Sequence, residues 1–154
     1  MKQTATDVIR LLQGKTLATA ESCTGGMIGA VLTDVPGASA VYKGGVISYC
    51  NEVKAALLQV PAEVLGKYGA VSAPVSAAMA EGAAKALQAD IAVSTTGLAG
   101  PSGDEFGNPV GRVYIGYHDE KGTVTREFTF SGDREAVRRQ ATQEALKLIL
   151  KQNG

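Results

Sequence analysis

Residues 16–32, Thr16-Leu17-Ala18-Thr19-Ala20-Glu21-Ser22-Cys23-Thr24-Gly25-Gly26-Met27-Ile28-Gly29-Ala30-Val31-Leu32, pass from a short β-compatible run through a small polar turn into an apolar helical run. A strand over 16–20 that opens into a turn and then a helix is half of an α/β unit, and in open α/β sheets ligands collect outside the carboxyl ends of the strands. The same transition recurs at Ile91-Ala92-Val93-Ser94-Thr95, a buried-type strand running into Thr96-Gly97-Leu98-Ala99-Gly100-Pro101-Ser102-Gly103.

Working outward, a helix is expected from residue 4 to Gln13, stopped by Gly14. Met27 to Leu32 reads as a helix ending near Asp34, with Pro36-Gly37 as punctuation. Val46-Ile47-Ser48-Tyr49-Cys50 reads as a second strand, after which Asn51 caps a helix that carries Glu52, Val53 and Lys54 in its first turn. Further helices are expected over 61–67 and 75–87. Gly111–His118 and Thr123–Phe130 alternate as an antiparallel pair around Lys121-Gly122, and an amphipathic helix runs from Asp133 to Lys151. This order predicts an α/β fold: one three-layer domain over 1–154, its mixed sheet covered by helices on both faces.

An apolar fraction of 45% and a charged fraction of 19% are ordinary for a globular chain. Lys plus Arg balances Asp plus Glu at 15 each, so there is no basic field for nucleic acid or an anionic membrane. The first 15 residues lack the apolar core of a signal peptide, and no stretch approaches the roughly 20 apolar residues of a membrane span. A cytoplasmic protein is expected, with Cys23 and Cys50 as free thiols.

Both loops suit close approach of a ligand, because glycine lets backbone N–H groups reach an anion and a helix beginning just after Ser22 adds its positive end. The alternative is that both are simply tight turns, and spacing alone does not separate the two. Neither matches a nucleotide fingerprint: Gly14-Lys15-Thr16 imitates the end of a P-loop, but Ile9 stands where that pattern needs glycine. No metal site and no cofactor is expected, since His118 is the only histidine and no ligand-type residues sit at metal spacing. His118, near the end of a hairpin strand, makes a poor member of a Ser-His-Asp triad.

A serine can instead be activated by an unprotonated lysine. Lys54, in the first turn of its helix, sits where the macrodipole disfavours a cation; the alternative is an ordinary exposed lysine. Cys23 rivals Ser22 as nucleophile, but neighbours on an extended segment face opposite ways, so at most one of them meets the substrate.

Ala20-Glu21-Ser22-Cys23-Thr24-Gly25-Gly26, Gly45 to Lys54, Gly69-Ala70-Val71-Ser72, Thr96 to Pro101 and Ser131-Gly132-Asp133-Arg134 together resemble the C-terminal domain of competence/damage-inducible protein CinA, also found as stand-alone nicotinamide-nucleotide amidohydrolases. The resemblance covers nearly the whole chain. Where that family forms a longer protein, a separate nucleotide-processing domain precedes this one, and none of its activity carries over.

The resemblance implies deamidation of nicotinamide mononucleotide to nicotinate mononucleotide and ammonia, by a serine–lysine mechanism carried by Ser22 and Lys54. It also implies a homo-oligomer whose partner is a small-molecule nucleotide. In that reading backbone N–H groups at Thr24, Gly25 and Gly26 are candidates to hold the oxyanion, the other glycine loop being an alternative source of a donor, while Tyr49 and Asn51 orient the lysine or touch the ribose. Thr96, Gly97, Ala99 and Gly100 form the nucleotide-binding loop, and Arg138 is the phosphate contact to test against a salt-bridged surface role. Ser72 reads as a helix cap, and nothing is read from 102–109. The rivals are a non-catalytic binding module of the same fold and a hydrolase of a different amide.

Overall fold

The computed structural model describes residues 1–154. Five strands form one sheet in the order β2-β1-β3-β4-β5: β1 (Leu17–Glu21), β2 (Tyr42–Ile47), β3 (Ile91–Gly97), β4 (Arg112–Asp119) and β5 (Gly122–Thr129). β1 runs parallel to both β2 and β3, whereas β4 is antiparallel to β3 and β5, so the sheet is mixed. The carboxyl ends of β1 and β3 therefore open on one edge, and the Ser22 N–H donates to the Thr95 carbonyl at 3.0 Å across them.

One face is covered by α1 (Lys2–Leu11), α2 (Met27–Thr33) and α6 (Arg134–Asn153), which close over Leu17, Ile91, Val93, Val113, Ile115 and Tyr117. The other carries α3 (Asn51–Leu58), α4 (Ala62–Tyr68) and α5 (Ala73–Leu87) over Ala18, Ala20 and Ala92. The second face is built from small residues because α5 lies close to it: the Ser94 hydroxyl donates to the Ser76 carbonyl at 2.6 Å, and a side chain at Gly116 would strike that same carbonyl. Strand alternation sends Leu17, Thr19 and Glu21 to the α2 side, and it directs Ser22 toward α3.

Several boundaries differ from expectation. The strand expected over 46–50 runs from Tyr42 to Ile47, starting four residues earlier and ending three earlier. Gly44 and Gly45, which look like strand breakers, lie inside it because at Gly45 a Cβ would meet Thr19 and the Tyr42 hydroxyl. Ser48 to Cys50 form the turn into α3, whose cap is Cys50 and not Asn51; Asn51 is the first helical residue. β3 continues through Thr96 and Gly97, which pair with Tyr114 and Val113. Ser72 caps α5 and accepts from Val75 N–H at 3.4 Å. No helix is long and apolar enough to cross a membrane.

Candidate active site

The turn after β1 is held by a buried carboxylate. Glu21, 2% exposed, accepts from the Thr24 hydroxyl (2.7 Å) and from the N–H groups of Gly26 (3.2 Å) and Ile28 (2.9 Å) on Oε1, and from Gly29 N–H (3.0 Å) on Oε2. The positive end of α2 is thus neutralised by the protein's own anion. Because the Thr24 hydroxyl gives its proton to Glu21, the Thr95 hydroxyl, 2.8 Å away, donates to Thr24.

On the opposite side of the same backbone lies Ser22. Lys54 Nζ is 3.0 Å from Ser22 Oγ and donates to the Ser48 carbonyl at 2.7 Å. Lys54 is 1% exposed and Ser22 7%, which makes this a buried hydroxyl–amine pair with no carboxylate bonded to the amine. Burial pushes the Lys54 ammonium below its ordinary value, with the Cys50 and Cys23 thiols working weakly the other way. Lys54 is the fourth residue of α3, one position further from the cap than expected, because the cap is Cys50.

Cys23 points away. It packs in the cluster under α1, α2 and α6, and burial pushes its thiol up to about 12. His118 pairs with Ala92 near the start of β3, at the other edge of the sheet, and contacts Thr123 Oγ1 at 2.7 Å.

Ser22 and Lys54 open into a cavity of about 1080 Å³ that is also lined by Tyr49, Asn51, Thr96, Gly97, Ala99 and Gly100, all of them singled out from the sequence. The Thr96 hydroxyl faces the neighbouring segment and donates to the Ala70 carbonyl at 2.8 Å. Gly97 is glycine because a Cβ there would lie 2.6 Å from the Val113 side chain.

Thr24, Gly25, Gly26 and Arg138 do not line the cavity. Of the three amides expected to hold an oxyanion, Gly25 N–H donates to the Ser22 carbonyl at 3.0 Å and Gly26 N–H to Glu21, while Thr24 N–H has no protein acceptor but lies away from the cavity; the Cys23 amide also donates to no other residue, and Cys23 borders the cavity. Arg138 lies away from the cavity and forms no ion pair, unlike either role expected of it. Its Nε donates to the Cys23 carbonyl (3.0 Å) and its Nη2 to the Thr24 carbonyl (3.1 Å), clamping the turn from behind.

The cation that does line the cavity is Arg134, one turn earlier, which donates to the Gly100 carbonyl (2.6 Å) and the Tyr49 hydroxyl (2.9 Å). The Ser-Gly-Asp-Arg stretch was the available signal: Asp133 caps α6 by accepting from Ala136 N–H, and the next residue begins the helix beside the cavity. No three His, Cys, Asp or Glu side chains are grouped so as to hold a metal ion.

A family model for the CinA C-terminal domain matches residues 1–153. Nicotinamide-nucleotide amidohydrolase PncC of Escherichia coli K12 is 49% identical over 141 residues, covering 91% of this chain and 86% of that protein. A CinA-like protein of Anaeromyxobacter dehalogenans is 50% identical over 137 residues, which make up 89% of this chain and 34% of that longer protein. The crystal structure of a CinA superfamily protein from Klebsiella pneumoniae superposes with a TM-score of 0.95 at 37% identity, covering 98% of this chain and 96% of that one. With sequence, fold and extent in agreement, the chain belongs to the CinA C-terminal domain family.

Proposed function

We propose that this chain is an amidohydrolase that converts nicotinamide mononucleotide to nicotinate mononucleotide and ammonia through an acyl-enzyme on Ser22. The observation that carries the reading is the 3.0 Å contact between a buried Lys54 amine and the Ser22 hydroxyl at the base of the cavity. The activity named for the relative from Escherichia coli supplies the substrate.

A neutral amine has two N–H bonds and one lone pair. The Ser48 carbonyl takes one N–H and restricts rotation about the terminal bond, which helps aim the lone pair at Ser22. Lys54 accepts the Ser22 proton as Oγ attacks the carboxamide carbon, and the amide of Cys23, which borders the cavity, stabilises the resulting oxyanion. The carbon–nitrogen bond then breaks, the nitrogen leaving as ammonia with the proton that Lys54 returns. Water, deprotonated by Lys54, cleaves the ester, releasing the carboxylate and restoring the serine. Arg134, with N–H groups left beyond its two protein contacts, takes the phosphate in place of Arg138. The working form is taken to be a cytoplasmic homo-oligomer, its oligomeric state open to measurement by sedimentation.

Ammonia release from nicotinamide mononucleotide tests the assignment. Ser22→Ala and Lys54→Ala each remove nearly all turnover, and the double variant is little worse than either, because the two act as one unit. Cys23→Ser keeps substantial activity. Deamidation that persists in Ser22→Ala and disappears in a folded Cys23→Ser would move the nucleophile to the thiol.

A further inference from the structure

Segment 102–109 carries no recognisable motif, yet it builds one wall of the cavity. It is fastened in place. The Asp104 carboxylate accepts from the N–H groups of Phe106 (3.1 Å) and Asn108 (3.0 Å) and from the Asn108 amide (2.9 Å), and that amide also donates to the Val71 carbonyl at 3.1 Å. Phe106 is seated on Gly69, where φ is +77° and a Cβ would lie 2.6 Å from the ring. Glycine at 69 therefore makes room for the ring. Phe106 nevertheless remains 45% exposed and borders the cavity that holds Ser22 and Lys54.

The charge of the lining is uneven. Glu52, Asp104 and Glu105 supply three carboxylates, against Arg134 and the buried Lys54. A nucleotide of nicotinamide differs from the free base by its sugar phosphate and by a permanent positive charge on the aromatic ring. Arg134 suits the phosphate. Nothing assigned so far receives the ring, and an aromatic face beside carboxylates attracts a flat organic cation.

We infer that Phe106, with Asp104 and Glu105 beside it, is the seat of the cationic pyridinium ring, and that it makes the enzyme select N-ribosylated carboxamides over uncharged aromatic ones. This rests on the proposed deamidase function and extends it to a specificity-determining residue.

The test compares nicotinamide mononucleotide with its uncharged isostere, in which carbon replaces the ring nitrogen and the carboxamide, ribose and phosphate are kept. Binding of both is measured by calorimetry on Ser22→Ala protein, so that no turnover intervenes, with ammonia release by the Ser22-containing enzyme followed in parallel. The cation is expected to bind about tenfold more tightly than the isostere, within the range for a ring cation against an aromatic face. Adding Phe106→Leu reduces the preference to about twofold, while Phe106→Tyr preserves it.

A preference that Phe106→Leu leaves intact, no preference at all, or no binding of either nucleotide overturns the inference. If turnover of nicotinamide mononucleotide persists beside a preference indifferent to Phe106, the deamidase reading stands and the ring seat falls. A Phe106-dependent preference without turnover supports the seat and overturns the deamidase reading.

Discussion

Replacing Glu21 with glutamine removes one charge and alters one atom, and its cost follows from the four hydrogen bonds that the carboxylate accepts. A glutamine oxygen in the Oε1 position keeps Thr24, Gly26 and Ile28, but its NH2 then faces the Gly29 N–H, donor against donor; the flipped amide is worse. At least one charge-assisted bond is lost, worth about 1.5–3 kcal/mol, and the half-buried Gly29 N–H left unpaired adds about 1 kcal/mol. Losing the anion at the start of α2 adds up to about 1 kcal/mol. Allowing for overlap between these contributions, we expect about 3 kcal/mol of destabilisation, or roughly 6–12 °C in Tm for a chain of this size. Urea unfolding followed by circular dichroism measures it, and Thr24→Val, which removes one of the four donors, should cost about 1 kcal/mol. Because Glu21 adjoins Ser22 and tethers the turn, kcat should fall while KM changes little. A Glu21→Gln protein with wild-type stability and kcat would refute the view that this carboxylate holds the nucleophile's turn.

Activity should rise with pH as Lys54 loses its proton, and so should stability: between the depressed folded pKa and the ordinary lysine value the unfolded chain binds the extra proton. Lys54→Met abolishes turnover and flattens that rise, as urea midpoints across the alkaline range will register. Cys23 acts with the opposite sign, since from the ordinary thiol value up to about 12 the unfolded chain loses its proton first and stability falls; Cys23→Ala removes that decline. At Gly82 of α5 a Cβ would strike the Leu58 carbonyl of α3, so Gly82→Ala should cost about 1–3 kcal/mol. It should also depress kcat in still-folded protein, because α3 carries Lys54; unchanged kinetics would count against that coupling.

The strand-to-turn transitions at 20–26 and 95–101 were legible because both signals are local: apolar runs that end in small residues. The alternation argument also placed Ser22 and Cys23 on opposite faces, as observed. Non-local features misled. Gly44 and Gly45 look like an interruption until Leu87 against the first and the Thr19 and Tyr42 side chains against the second are in view, which is why the start of β2 was displaced by four residues. Arg134 and Arg138 are one turn apart on α6, and no periodicity says which of them meets a cavity formed by segments 85 and 34 residues away. Glu21 reads as the start of a polar turn, and only the return of the chain into α2 above it reveals a carboxylate that holds that turn together. Segment 102–109 has no pattern because its order comes from Asn108 reaching back to Val71.

The two arginines on α6 have a mechanical consequence. Arg134 holds the Gly100 loop and Tyr49, and Arg138 holds the Cys23 and Thr24 carbonyls, so one rigid rod grips both rims of the cleft at points about 6 Å apart along its axis. A slide or roll of that rod displaces both grips together. Any change that tilts α6, whose Gln143 amide donates to the Thr4 hydroxyl of α1 at 3.0 Å, therefore reaches the Gly100 loop and the turn that carries Ser22 at once.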